Sequence, residues 1–92
     1  MAHTERVVLE KKLAEALKVV STGQRWRHTK SGGEYTIVSA GINEATEEIV
    51  VVYRELNHEP SITWIRTFDT GDGWVVPTEI DGKPAARFMK IE

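Results

Sequence analysis

The stretch Val50-Val51-Val52-Tyr53-Arg54 decides how the rest of the chain is read. Four β-branched or aromatic residues in a row do not suit a strand with one wet face. The pattern predicts a strand covered on both sides. Three further short segments set an arginine against an aromatic: Arg25-Trp26-Arg27-His28, Trp64-Ile65-Arg66 and Arg87-Phe88. Together they predict a small β domain whose surface gathers arginines beside aromatics, a binding surface more than a catalytic centre.

Upstream of this strand, apolar and polar residues alternate with period two from Gly23 onward. Gln24–Thr29 reads as a first strand, Lys30-Ser31-Gly32-Gly33 as a hairpin turn, and Glu34–Ala40 as a second strand. Gly41–Thr46 is a polar connection into the central strand, Glu48–Glu55. Downstream, Asn57–Ser61 is a loop around Pro60 and Ile62–Phe68 is a fourth strand. Asp69–Gly73 is a turn. Trp74–Ile80 reads as a fifth strand interrupted by Pro77, Asp81-Gly82 turns again, and Arg87–Ile91 closes the chain. Short strands separated by turns every ten to fifteen residues predict a small antiparallel barrel of about five strands.

Before Gly23 the period is helical. Leu9, Leu13, Ala16, Leu17 and Val20 fall on one narrow stripe. Thr4 is placed to cap the helix, Glu5 lies in its first turn, and Gly23 is placed to stop it. Arg6–Glu10, Lys11–Glu15 and Glu15–Lys18 are charge pairs on the remaining face. The stripe is too short for a coiled coil, so the helix is expected to dock on the outer face of the barrel near Val50 and Val52. The expected division is residues 1–22 for the helix and 23–92 for the barrel. The helix is also a candidate homodimer contact, since a second copy would cover the apolar rim of so small a barrel.

Ninety-two residues, 40% hydrophobic and 28% charged, make one ordinary globular domain. The formal net charge of -2 argues against a protein that coats nucleic acid. There is no cysteine, hence no disulfide framework, thiolate nucleophile or cysteine zinc site. Neither a membrane-spanning apolar run nor a signal pattern is visible, and the expected location is the cytoplasm.

Trp26-Arg27-His28-Thr29-Lys30, Tyr35, Val51-Val52-Tyr53-Arg54, Trp64-Ile65-Arg66, Asp81-Gly82 and Arg87-Phe88 also fall in a familiar order. The chain resembles the bacterial domain of unknown function numbered 1653 over about residues 24–91. That family typically reads YRHYKG, Y, HSETLE, VVYR, WVRP, an M-F pair, DGK and PRF. The resemblance implies a barrel of the SH3-like type and supplies no activity. Asn43-Glu44-Ala45-Thr46 replaces HSET, and Thr67 replaces the proline of WVRP. Phe68–Glu79 is longer than the usual stretch.

The candidate ligand-binding residues are Arg25, Arg27, His28, Tyr35, Arg54, Trp64, Arg66 and Trp74. Arg25 and Arg27, two apart, share one strand face as a charged comb, and Trp26 and His28 share the other. The comb suits an anion held by bidentate forks, above all if Arg54 or Arg66 joins it. The competing reading is a solvated face neutralised by Glu44, Glu47 and Glu48. Trp26 and Tyr35 suit the core of a small barrel, whereas Trp64 and Trp74, flanked by loops, suit a stacking platform and the core equally. Cross-strand pairing with glutamates is the plainer role for Arg54 and Arg66.

His3, His28 and His58 lack any metal-ligand spacing, and Asp69–Gly73 lacks the alternating oxygen ligands of a calcium loop, so no metal and no cofactor is expected. No nucleophile elbow and no phosphate loop is present. The function that follows is a non-catalytic binding module, with a protein or peptide partner favoured over nucleic acid. The alternative is a nucleic-acid or nucleotide-binding accessory domain using Arg25, Arg27, Arg54 and Arg66 on phosphates. An enzyme would need a site assembled by a ligand or by a second subunit.

Overall fold

The computed structural model describes residues 5–92. One helix, α1 (Arg6–Leu17), precedes seven strands: β1 (Arg25–His28), β2 (Glu34–Ile42), β3 (Ile49–Glu55), β4 (Thr63–Thr67), β5 (Thr78–Ile80), β6 (Lys83–Ala85) and β7 (Phe88–Lys90). Five strands form one antiparallel sheet in the order β4-β3-β2-β1-β7, and β5 and β6 form a separate hairpin. The fold is mainly β and barrel-like, with an N-terminal helix, as the sequence predicts.

β3 lies near the middle of the sheet, and its burial alternates. Ile49, Val51 and Tyr53 are buried, whereas Val50 and Val52 are half-buried and Arg54 is exposed. The apolar run is therefore covered fully on one side and partly on the other. The buried face meets Val20, Trp26, Ile37, Trp74 and Phe88 in one core. A bulge in β2 between Ile37 and Ser39 turns Val38 outward, sharpening the local twist that curls the sheet around this core.

β4 and β7 are the two edges of the sheet and do not pair with each other. The chain between β4 and β5 spans that opening. The amides of Trp74 and Val75 donate to the carbonyls of Thr67 and Phe68, at 2.8 and 3.0 Å. From the other side Arg87 Nε donates to the Val76 carbonyl at 3.1 Å. Trp74, 1% exposed, fills the space between. Its ring stacks on Phe88 with centroids 3.7 Å apart and meets Trp26 and Tyr53 edge-on at 5.6 and 4.9 Å. Trp74–Pro77 is thus turn rather than strand, and only Thr78–Ile80 is extended. Pairing with Thr67 and Phe68 accounts for the difference: Trp74 is tied to the end of β4 before a new strand begins.

The helix differs from expectation in how little of its apolar stripe is buried. The Thr4 cap lies outside the described residues. The Glu5 carbonyl accepts the first helical bonds, from Val8 and Leu9. α1 packs against β2 and β3. Ala16 and, just beyond the helix, Val20 are fully buried; Leu9 and Leu13 are half-buried and Leu17 is 43% exposed. Val20 belongs to the same core as Val51 and Tyr53. Val20, just past the helix, therefore belongs to the inner core, while Leu9 and Leu13 are only partly covered. Arg6–Glu10 and Glu15–Lys18 are exposed pairs at 3.3 Å, which contribute little to stability. Gly23, at φ 89°, turns the chain into β1, a conformation that glycine adopts without strain. No helix among the described residues is long and apolar enough to cross a membrane.

Candidate functional site

Strand register sorts the candidate residues onto two faces. Residues directly opposite in an antiparallel pair share a face. Arg25 stands opposite Thr36, which stands opposite Arg54. Arg66 stands opposite Val51, and Trp64 opposite Tyr53, on the core side of the sheet. Arg25, Arg27 and Arg54 are accordingly on the outer face, and His28, Tyr35, Trp64 and Arg66 are on the inner one. The comb and Arg66 do not converge.

Carboxylates meet the comb. Glu34 lies 3.4 Å from Arg25 and 3.0 Å from Arg27, and Glu92 lies 2.6 Å from Arg25. The neutralising residues are Glu34 and Glu92, not Glu44, Glu47 and Glu48. Glu34 is Arg27's own cross-strand partner, so the pairing follows from the short β1–β2 hairpin. Of the two roles the sequence left open for Trp74, core or stacking platform, the structure gives it the core.

The inner-face residues gather at one end of the barrel around two aromatics that the sequence reading did not single out as site residues, Tyr53 and Phe88. The Arg66 guanidinium lies 5.3 Å from the Phe88 ring centroid. Its Nη1 donates to the Asp72 carbonyl at 2.6 Å, and its Nε reaches toward the Tyr53 hydroxyl at 3.5 Å. Tyr35 meets Tyr53 edge-on at 5.1 Å and Phe88 at 6.3 Å, and His28 meets Phe88 at 5.0 Å. Trp64, 43% exposed, stands opposite the buried Tyr53 on the same face of the sheet. Among the described residues no carboxylate comes within ion-pair distance of Arg66. A half-buried cation is thus framed by rings and held by a carbonyl dipole, with its charge uncancelled.

The electrostatics agree. Burial, then the positive charges of Arg66, Arg87 and Lys30, hold His28 below the usual histidine range. The Ser31 backbone amide donates to His28 Nδ1 at 3.2 Å. A backbone amide can only donate, so Nδ1 carries the lone pair and Nε2 the proton. Burial pushes the Tyr35 phenol up, with Tyr53 and Glu55 adding to the effect and Arg66 opposing it. The site is therefore a positive spot ringed by neutral hydrogen-bonding groups.

A shallow cavity of about 210 Å³ adjoins it, between Gly32–Tyr35 on one side and Glu55–His58 on the other. Tyr35 borders both, its hydroxyl lying close over Gly33. No group of histidines and carboxylates suited to a metal ion occurs among the described residues.

Alternation along a strand was enough to place His28 opposite the comb. Finding Tyr53 and Phe88 required the pairing of β3 with β4 and of β1 with β7, which no local pattern encodes. His28, Tyr35, Tyr53, Arg66 and Phe88 come from five separate motif segments, and each supplies its side chain to this one cluster from a different strand.

The family model described as "Protein of unknown function (DUF1653)" matches residues 24–90. No curated protein and no solved structure matches the chain. The matched span runs from the end of the helical segment through all seven strands and contains the whole Arg66 cluster. The chain belongs to the DUF1653 family of proteins of unknown function.

Proposed function

We propose that this protein is a non-catalytic binding module that takes a protein or peptide partner on the surface formed by Tyr35, Trp64 and Arg66. The observation that carries the reading is the Arg66 guanidinium, half-buried against Phe88 and without a carboxylate partner among the described residues. Desolvating a cation is costly unless charge or hydrogen bonds compensate. A partner that supplies an anion gains more here than at an exposed arginine. Aromatic rings and arginine are also the side chains that dominate protein interfaces energetically.

A macromolecular partner fits better than a small molecule. The adjoining cavity, about 210 Å³, falls below the ~300–1,000 Å³ usual for small-ligand sites. A peptide fits better than nucleic acid. The arginines that would follow a phosphate backbone, Arg25 and Arg27, are engaged by Glu34 and Glu92, and the chain as a whole carries a net charge of -2. A cytoplasmic setting belongs to the same reading, since no cysteine calls for an oxidising compartment.

Selection from a displayed peptide library, followed by titration of synthetic peptides, tests the reading. Binding should move the Trp64 indole and Arg66 Nε resonances, and Trp64→Ala or Arg66→Ala should each weaken it about tenfold or more, ~1.4 kcal/mol. Selected peptides that leave both resonances unmoved would refute this site. Failure to select any peptide, with single-stranded DNA bound in a steeply salt-dependent way, would favour the nucleic-acid alternative.

A further inference from the structure

We infer that the partner is an extended acidic segment that adds to the sheet along the free edge of β4. The inference rests on the binding reading above and specifies how the partner is held. β4 is an edge strand. Its ladder bonds to β3 can be phased from its ends, where the Phe68 amide donates to the Ile49 carbonyl and the Glu55 amide donates to the Ile62 carbonyl. Bonded pairs in an antiparallel ladder recur every second residue. Val51 with Arg66 and Tyr53 with Trp64 are therefore the bonded pairs between those ends. The amides and carbonyls of Thr63 and Ile65 point the other way, toward the open edge. Among the described residues no turn or loop hydrogen bond reaches either residue.

Natural proteins guard such edges with charges, proline or a covering loop. β4 reads Thr-Trp-Ile-Arg-Thr, without proline or a carboxylate. Ile65 is 68% exposed and Trp64 43%. The outward side chains of this strand, Thr63 and Ile65, present no charge to deter an added strand. An added strand gains backbone hydrogen bonds from the edge and specificity from alternate side chains. Those on the core side of the sheet fall beside Trp64 and Arg66.

Charge decides the occupant. A second copy pairing β4 with β4 brings no carboxylate to either Arg66, since neither strand carries one. An acidic strand brings its carboxylate to the uncancelled guanidinium, forming a charge-assisted bond in a partly desolvated setting. The neutral His28 adds no competing positive charge at pH 7 and offers a proton on Nε2.

Short blocked peptides of alternating valine with glutamate, glutamine or lysine test this by NMR titration and amide exchange. The glutamate peptide should bind most tightly and slow exchange at the Thr63 and Ile65 amides. Ile65→Pro removes an amide that the ladder does not use and a side chain outside the core. It should leave the fold intact and weaken the glutamate peptide more than tenfold. Arg66→Gln should abolish the preference for glutamate over glutamine. Ile65→Pro binding like wild type, while Trp64→Ala still weakens binding, would overturn strand addition and leave the aromatic site standing. Unprotected Thr63 and Ile65 amides in the saturated wild-type complex would overturn it independently of any variant. Protection of those amides without peptide, together with a dimer in sedimentation, would replace the acidic segment with a second copy. Failure of all three peptides, together with failure of library-selected peptides, would remove the binding reading itself.

Discussion

A methyl group at position 73 would sit 2.7 Å from the Phe68 carbonyl oxygen and 2.9 Å from that of Thr70. Both obstacles are backbone, so neither can swing aside. Gly73 permits the tight return that delivers Trp74 to the core. Gly73→Ala should destabilise the fold by about 1–3 kcal/mol, as overpacking does; an unchanged urea midpoint would show that the loop has slack. His28 makes a pH prediction of definite sign. Its folded pKa lies below its ordinary 6.5 because burial and three cations oppose the charged form. Between the two values the unfolded chain binds the proton and the folded chain does not, so stability falls as pH drops below about 6.5. Glu48, held below 4.5 by hydrogen bonds from Thr70 and Thr46, contributes its own loss only in more acidic solution. Urea midpoints measured from about pH 7 to 5.5 should decline in the wild type and flatten in His28→Gln. Equal slopes would assign the decline elsewhere.

At the scale of elements, the helix and the sheet were legible to different depths. Period two and turn residues placed β1 to β4 to within a residue or two, because half-buried strands must alternate. The helix was legible as a helix, but the extent of its burial was not. Five apolar residues on a stripe said which face is greasy, not how much of it the domain covers. The structure answers through two of them: Ala16 and Val20 are fully buried, whereas Leu17 is 43% exposed. Val20→Ala should therefore cost about 2 kcal/mol, as loss of a buried branched side chain does, and Leu17→Ala no more than about 0.5. Paired denaturation curves check the contrast, and a larger loss at Leu17 would mean that the helix packs along its whole length. The site was legible in its parts and not in its assembly. Arg66, His28 and Tyr35 stood out as residue types. That Arg66 joins them while Arg54 does not follows from a strand register that only the folded sheet supplies. The partners Glu34 and Glu92 make the same point, since Glu92 is 67 residues from Arg25.

Across the whole molecule, stability and the proposed binding surface share one stack of rings. The sheet does not close on itself: β4 and β7 stay apart, and the Phe68–Pro77 segment bridges them. Trp74 occupies the middle of that bridge. It stacks face to face on Phe88 at 3.7 Å, and the guanidinium of Arg66 lies against the same Phe88 ring. The core's largest fully buried side chain is thus one ring away from the cation that carries the proposed function. Trp74→Ala opens a cavity between two unpaired edges and should cost about 3–5 kcal/mol. That is a large share of the ~5–15 kcal/mol that stabilises a typical domain. At roughly 4–8 °C per kcal/mol for a chain of this size, the melting temperature should fall by tens of degrees. Arg66→Ala removes a half-buried cation with no carboxylate to leave unpaired. It should cost less than Trp74→Ala while losing the partner. Calorimetry and peptide titration on the two variants together test the arrangement. A fall of only a few degrees for Trp74→Ala would mean that the two edges hold together without the bridge. Loss of stability at Arg66→Ala equal to that at Trp74→Ala would make Arg66 a structural strut rather than a binding group.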